Sequence, residues 1–405
     1  MISDLVVIGG GASGFMGAIT AANNGVGSVV ILEATSKVLE KVRISGGGRC
    51  NLTNSCREIS DLVNNYPRGA KQLIGLFNRF STTEAFDWFQ ERGLSLKVEK
   101  DGRVFPSSDS SEDVIKCLSE RAKKSGVNIL TDSHVKQISF KDNVFNLLVK
   151  GNKLFKARNI LICTGGHPSG RKLAKSLGHS IIQPVPSIFS FSTSECSLKA
   201  CSGISLVVKI KLTINKKKYT ETGSILITHK GFSGPAILRL SAFSARTLYD
   251  NKYKGELQIN WISLSENDAR NQIELFKLDN SRKFIYHNKP FIKLPKSLWK
   301  ALLLSENIST ELKWADLSRF QKQSLVRCLT MKNYLIKSRG PFGEEFVTAG
   351  GVLLNEVNFK TMESKICKGL FFAGEVLDID GVTGGFNFQH CWTSGWVAGK
   401  SVSLG

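Results

Sequence analysis

Ser45, Arg49, Cys50 and Asn51 flank three consecutive glycines, Gly46, Gly47 and Gly48, in the stretch Ile44-Ser45-Gly46-Gly47-Gly48-Arg49-Cys50-Asn51-Leu52-Thr53-Asn54. Bare glycine backbone lets a flat ligand come close and offers N–H groups to it, with a cation, a thiol and an amide alongside. Two histidines join this cluster as groups able to hold a proton: His229, in Thr228-His229-Lys230-Gly231-Phe232-Ser233-Gly234-Pro235, and His390, beside Gln389 and Cys391. A thiol with an unperturbed pKa of about 8.5 is mostly protonated at neutral pH, so Cys50 is a general-acid candidate as well. Cys50 and His229 also have a plain structural reading, as a packing thiol and a turn former.

Such groups need a frame, and the N-terminus supplies one. The apolar run Leu5-Val6-Val7-Ile8 leads directly into Gly9-Gly10-Gly11-Ala12-Ser13-Gly14, followed by small and apolar residues at helical spacing from Phe15 to Ala22. A second apolar run, Val29–Leu32, ends in Glu33, 19 residues after Gly14, where a carboxylate can take ribose hydroxyls. Strand, glycine turn, helix and acid in that order predict dinucleotide binding.

The 405 residues can fill two cores. Residues 1–187 alternate in βαβ fashion, with helical patterns over 70–92 and 111–124 and strand patterns over 127–130, 135–140 and 144–149. The strand 159–163 then enters Thr164-Gly165-Gly166. After Pro184 and Pro186 the pattern favours strand to about Trp261, including the alternation Val208, Ile210, Leu212 and Ile214, and 265–335 reads as helical and polar. The last 60 residues return to the opening style, with Gly369-Leu370-Phe371-Phe372-Ala373-Gly374-Glu375 and a small-residue helix ending near Lys400. A sheet opened near residue 5 and closed near residue 373 makes the middle an insertion and the nucleotide-binding domain discontinuous.

Nine cysteines lack CxxC pairs and paired histidines, so neither a metal site nor a disulfide framework is expected. No apolar run reaches membrane-spanning length and the first 25 residues lack a leader pattern, so a soluble, cytoplasmic protein is expected. The formal charge of +21 is uneven: residues 188–343 hold 26 Lys and Arg against 11 Asp and Glu. Residues 196–220, 281–300 and 317–343 each carry six basic residues and no acid, with Phe284, Tyr286, Phe291, Trp299 and Tyr334 in or near these windows.

Taken together, GGGASG with Glu33, ISGGGRCNLTN, the stretch 228–235, TAGGV at Thr348–Val352 and GLFFAGEVLDIDGVTGGFNFQ resemble the BaiN/RdsA family of FAD flavoproteins, in order across residues 5 to 399. The resemblance implies an α/β fold: a discontinuous Rossmann-like FAD-binding domain (1–187 and 344–405) around an insert (188–343). The insert would be a small β-barrel (188–262 and 315–343) carrying a helical subdomain (263–314). By motif position, Gly9, Gly11, Ser13 and Gly14 would cradle the FAD pyrophosphate, Glu33 would bind the adenosine ribose, and Val135 would lie by the adenine. Ser45, Gly46, Gly47, Gly48, Arg49 and Asn51 with Thr164, Gly165 and Gly166 would line the flavin side. Gly374, Glu375, Gly384, Gly385 and Asn387 would hold the ribityl chain and the isoalloxazine edge. Departures from the family pattern fall at Leu39-Glu40, where relatives usually have glycine then a basic residue, at Phe386, where Tyr is common, and at His390-Cys391.

A flavin brings hydride chemistry, and the protein adds position and a proton donor. With no second strand–GxGxxG–helix unit, NAD(P)H would be a transient reductant. The family's branches include reductases of unsaturated steroid or bile-acid rings, a ribosomal RNA dihydrouridine synthase that reduces the uracil C5=C6 bond, and relatives described as amine oxidases. The basic insert favours the RNA branch, with Lys199, Lys209, Lys211, Lys216, Lys217, Lys218, Arg282, Lys283, Lys289, Lys293 and Lys296 as phosphate contacts. The alternatives are a small-molecule ring reductase or amine oxidase, and a binding module that uses FAD structurally; a basic proteome composition is the alternative source of the charge.

Overall fold

The computed structural model describes residues 2–194, 198–340 and 347–402, in two compact units, Met1–Val185 with Val347–Gly405, and Pro186–Phe346. The expected junction at 343/344 and Cys196 lie outside the described residues.

In the first unit the strand Ile2–Ile8 is central, parallel to Val29–Leu32 on one side and to Lys153–Ile162 on the other. Asn128–Leu130 extends the sheet beyond Val29–Leu32, and Leu370–Phe372 extends it beyond Lys153–Ile162, both in parallel. Residues 5–8 and 29–32 are apolar without alternation because helices cover a parallel sheet on both faces, and all eight are buried. The hairpin Val135–Lys141 and Val144–Val149 pairs antiparallel with Lys153–Ile162. The C-terminal segment therefore enters the sheet next to a strand from the first half of the chain.

Helix Ala12–Asn23 and helix Phe386–Val402 pack backbone to backbone. A Cβ at Gly395 would overlap the Ser13 carbonyl oxygen, one at Gly399 would overlap that of Gly17, and one at Gly17 would stand 2.6 Å from Leu161 Cδ2. Small residues at these positions allow the close crossing. The stretch expected as one helix over 70–92 is two, Ala70–Phe77 and Thr82–Gln90; Ser81 starts the second with a capping box closed by Glu84.

The second unit contains a closed six-stranded antiparallel barrel, formed in order by Phe191–Thr193, Gly231–Ser233, Lys217–Thr228, Ser205–Ile214, Gly255–Asn260 and Lys332–Arg339. The predicted alternation holds: Val208, Ile210, Leu212 and Ile214 are at most 3% exposed and face the interior. One expectation fails: the strand-rich reading of 186–261 missed the helix Pro235–Asp250, whose buried Ile237, Leu240, Ser241, Ser244, Ala245 and Leu248 recur at helical spacing. Within the stretch read as helical, 265–335, lie the helices Glu266–Asp279, Lys296–Ser305 and Arg319–Met331. Among the described residues no helix is long and apolar enough to cross a membrane.

Candidate active site

The glycine turn closes on itself. Gly9 has φ +109, and a Cβ there would lie 2.6 Å from the Cys163 carbonyl oxygen; a Cβ at Gly14 would overlap the Gly9 carbonyl oxygen. Glu33, at the end of the second strand, accepts the Gly10 N–H at 2.8 Å through Oε2 and the Thr35 N–H and hydroxyl at 2.9 Å through Oε1. Helix Ala12–Asn23 starts at Gly11 with no side-chain cap and no acid in its first turn. Its leading N–H groups make a place for an anion. Ser13 is buried, its hydroxyl 3.4 Å from the Ala373 carbonyl oxygen, which ties the turn to the C-terminal strand.

Leu39 holds the left-handed conformation that glycine would adopt freely (φ 59, ψ 26). Its N–H donates to the Gly10 carbonyl oxygen at 2.8 Å, and its side chain is 1% exposed. Burial of the isobutyl group offsets a backbone cost of about 1–2 kcal/mol. The helix Glu40–Gly48 that follows loses helical geometry at Ser45 (ψ 149), after which Gly46, Gly47, Gly48 and Cys50 all have positive φ. A Cβ at Gly11, Gly47 or Gly48 would meet nothing within 4 Å, so these backbones border open space.

Arg49 anchors the loop: its guanidinium pairs with Glu99 at 2.5 Å and Asp109 at 2.6 Å and lies 4.0 Å over the Phe105 ring. Those hydrogen bonds raise its pKa further and hold the Asp109 carboxyl below the usual carboxylate range, with Lys97 the larger influence on Asp109. Ser45 bonds internally to the Val42 carbonyl oxygen at 2.8 Å.

Residues 51–54 meet the C-terminal block. Asn51 donates to the Thr53 carbonyl oxygen at 3.1 Å and accepts the Gly385 N–H at 2.9 Å. Asn54 Nδ2 donates to the Gly384 carbonyl oxygen at 2.9 Å, Thr53 Oγ1 lies 2.5 Å from Gln389 Oε1, and Trp392 Nε1 donates to the Leu52 carbonyl oxygen at 2.9 Å. A Cβ at Gly385 would overlap the Thr53 backbone. Asn387, expected at the isoalloxazine edge, has its amide engaged by the Gly381 N–H (2.9 Å) and carbonyl oxygen (2.8 Å), so it shapes the turn rather than offering a free amide.

Glu375 accepts the Thr348 N–H at 2.9 Å and the Lys41 ammonium at 2.7 Å, and a Cβ at Gly166 would come within 3.1 Å of it. The structure thus brings Thr164, Gly165 and Gly166 together with the Gly374-Glu375 turn. Val135 is buried at the start of its strand and helps line a groove of about 420 Å³ with His134, Lys136, Gln137, His167 and Lys172. Partial burial, reinforced by His134, pushes the His167 pKa down.

The three proton-donor candidates differ sharply. The Cys50 thiol is fully buried, and burial pushes it up to about 12, eased by a hydrogen bond to Ser45. His229 lies in the exposed turn between two barrel strands of the second unit. His390 sits in the core, 2% exposed, with neither ring nitrogen in a hydrogen bond; burial brings it down to about 4, opposed weakly by the Gly374 backbone. Burial therefore keeps the His390 imidazole neutral at physiological pH.

That depression has a thermodynamic consequence. The unfolded chain takes up a proton at His390 near pH 6.5, whereas the folded chain resists until about 4, so stability falls as pH drops through this window. Replacing His390 with Phe should remove roughly 2–4 kcal/mol of the acid sensitivity between those limits. Parallel denaturant melts at pH 7 and pH 4.5 check this; an unchanged pH slope in the variant would contradict it.

Sequence reasoning missed Lys41, Thr348, Gln389, Trp392 and the buried pair Arg68–Asp380. Thr348, Gln389 and Asp380 lay inside quoted motifs without an assigned role. Arg68, 312 residues from its partner Asp380, carries no local signature.

A nucleotide unit completed by its own C-terminal segment, with a barrel unit inserted in the chain, is a Rossmann-type FAD-binding architecture. The open backbones of Gly11, Gly47 and Gly48 and the uncapped helix fit such a cofactor. A flavocytochrome c3 fumarate reductase has this fold, with a TM-score of 0.53 at 17% identity, covering 100% of this chain and 78% of its own. The chain belongs to the HI0933-like protein Rossmann domain family, whose model matches residues 3–401. It is 29% identical over 408 residues to a 3-dehydro-bile acid delta(4,6)-reductase of Clostridium scindens, covering 98% of each chain. It is 28% identical over 416 residues to a ribosomal RNA dihydrouridine synthase of Haemophilus influenzae, covering 99% of this chain and 98% of that one.

Proposed function

We propose that this protein binds FAD in its nucleotide unit and reduces the C5=C6 bond of a uridine in ribosomal or other structured RNA, with NAD(P)H as a transient reductant. Bound FAD would supply the hydride chemistry. The observation that carries the RNA reading is the charge of residues 188–343, 26 basic against 11 acidic, because a polyanion is the substrate that such a surface favours. The dihydrouridine synthase relatives agree with it.

In this reading the Gly9–Gly14 turn and the following helix N-terminus hold the pyrophosphate, and Glu33 is pre-aimed at the ribose by its bonds to Gly10 and Thr35. Val135 and its groove take the adenosine end. The Gly46–Gly48 backbone, Thr164, Gly165 and Gly166 border the flavin, with Glu375 fixed by Lys41 and Thr348. Arg49 and Asn387 keep the two loops in shape.

Proton delivery falls to Cys50 or His229. The burial of Cys50 argues for a packing role, so Cys50→Ala should keep FAD and stay within a few-fold of wild-type turnover. His229→Ala should keep FAD and lose about a hundredfold, the usual contribution of a positioned acid. Single-turnover rates with flavin content measured in parallel decide between them; the reverse pattern would assign the proton to Cys50.

The bile-acid reductase relative supports a second reading, reduction of an unsaturated ring ketone. Supplying the purified protein with NAD(P)H and either unmodified ribosomal RNA or an unsaturated steroid ketone separates the two. Dihydrouridine formation is expected with RNA, and turnover of the ketone alone would favour the rival.

A further inference from the structure

The structure directs attention to one face of the insert, and we infer that the outward side of the hairpin Ser205–Ile214 and Lys217–Thr228 is the surface that takes the RNA phosphate backbone. The inference rests on the RNA reading above and specifies where the RNA sits.

The hairpin carries five lysines, at 209, 211, 216, 217 and 218, and one acid, Glu221. Glu221 is engaged by Arg239 Nε at 3.1 Å, which leaves the lysines uncompensated. Among the described residues none of the five lysines makes a side-chain hydrogen bond or ion pair. Lys209 and Lys211 alternate with the buried Val208, Ile210 and Leu212, so both point outward, about 7 Å apart along the strand.

Strand register places mainly neutral donors around them, with one acid, Glu256, opposite Thr213. Lys209 is opposite Thr222 on one neighbouring strand and Asn260 on the other, and Lys211 is opposite Thr220 and Gln258. Lys218 is opposite Thr213, and Gln258 Nε2 donates to Asn333 Oδ1 at 3.0 Å, extending the polar row to the next strand. Cations among hydroxyls and amides are the donor set that phosphates and ribose hydroxyls accept.

The other two basic windows are partly engaged, although Arg282, Lys293 and Lys296 are exposed. Lys283 donates to Asn280 Oδ1 at 2.9 Å, Lys289 to the Ile292 carbonyl oxygen at 2.8 Å, Lys332 pairs with Glu306 at 2.8 Å, and Lys322 pairs with Glu274. The aromatics expected to interleave with them are mostly core: Trp299 is fully buried, Tyr334 is 1% and Phe291 7% exposed, so they offer no stacking platform. Phe284 is exposed and Tyr286 half-buried.

The test compares full-length, FAD-loaded proteins binding a fluorescein-labelled RNA stem–loop across a salt series. Replacing all five hairpin lysines with Gln should weaken binding at least tenfold and flatten the slope of log affinity against log salt by about three or more. Replacing Lys283, Lys293 and Lys296 with Gln should change neither by more than about twofold. Lysine acylation of the wild-type protein, read by mass spectrometry with and without RNA, gives an independent readout: protection is expected at residues 209–218 and not at 283–296. Wild-type affinity and slope in the hairpin variant, or protection confined to 283–296, would overturn the inference while leaving the RNA reading intact. Absence of salt-dependent binding by the wild-type protein would remove both.

Discussion

Gly14→Val is expected to yield a folded but colourless protein. The new Cβ would overlap the Gly9 carbonyl oxygen, main chain that cannot swing aside as a side chain would. The turn must open, which spoils both the N–H cradle at the helix start and the approach of Gly10 to Glu33. A loss of about 3 kcal/mol or more in FAD binding, two decades in affinity, is the minimum expected. Flavin absorbance per polypeptide and titration with added FAD measure it. Gly75→Ala is the control, because the helical Gly75 has nothing within 4 Å of an added Cβ. Normal flavin content in the Gly14 variant would mean that the turn does not hold the cofactor.

Asp380→Ala is expected to cause the largest loss of stability among single surface-neutral changes. Asp380 is fully buried and holds Arg68, itself 14% exposed, through both carboxylate oxygens, while the two backbones form an isolated bridge. This clamps the segment leading to Gly384 and Gly385 onto the loop before Ala70. Removing one partner leaves the other charge buried and uncompensated, at about 3–5 kcal/mol. The melting temperature should fall by roughly 10 °C. The double variant Arg68→Met/Asp380→Leu should recover most of this loss, since an apolar pair needs no charge compensation. If the single variant melts like wild type, the clamp is not structural.

What could be read from the residues alone follows from distance along the chain. The strand, glycine turn, helix and Glu33 lie within 33 residues, so their types and spacing specify the nucleotide end of the fold. The outward lysines and inward apolar residues of 205–214 were equally local. The helix Pro235–Asp250 was missed although its apolar residues keep helical spacing, because Gly234-Pro235 was taken as a turn instead of a helix start with proline in its first turn. Trp299 and Tyr334 sat among lysines and looked available; their burial depends on packing partners distant in sequence. The contacts of Asn51, Thr53 and Asn54 with Gly384, Gly385 and Gln389 join segments more than 300 residues apart, and the two motifs signalled their importance without showing that they touch. His390 has the chemistry of a donor, and its burial without a ring hydrogen-bond partner depends on packing that its local sequence does not show.

The most direct test of the proposed reaction is the dihydrouridine content of ribosomal RNA, measured by nucleoside mass spectrometry in cells with and without this gene. Loss of dihydrouridine at a defined site, restored by the wild-type gene and not by the Gly14→Val variant, is the predicted result. Identical dihydrouridine content in both strains would contradict it.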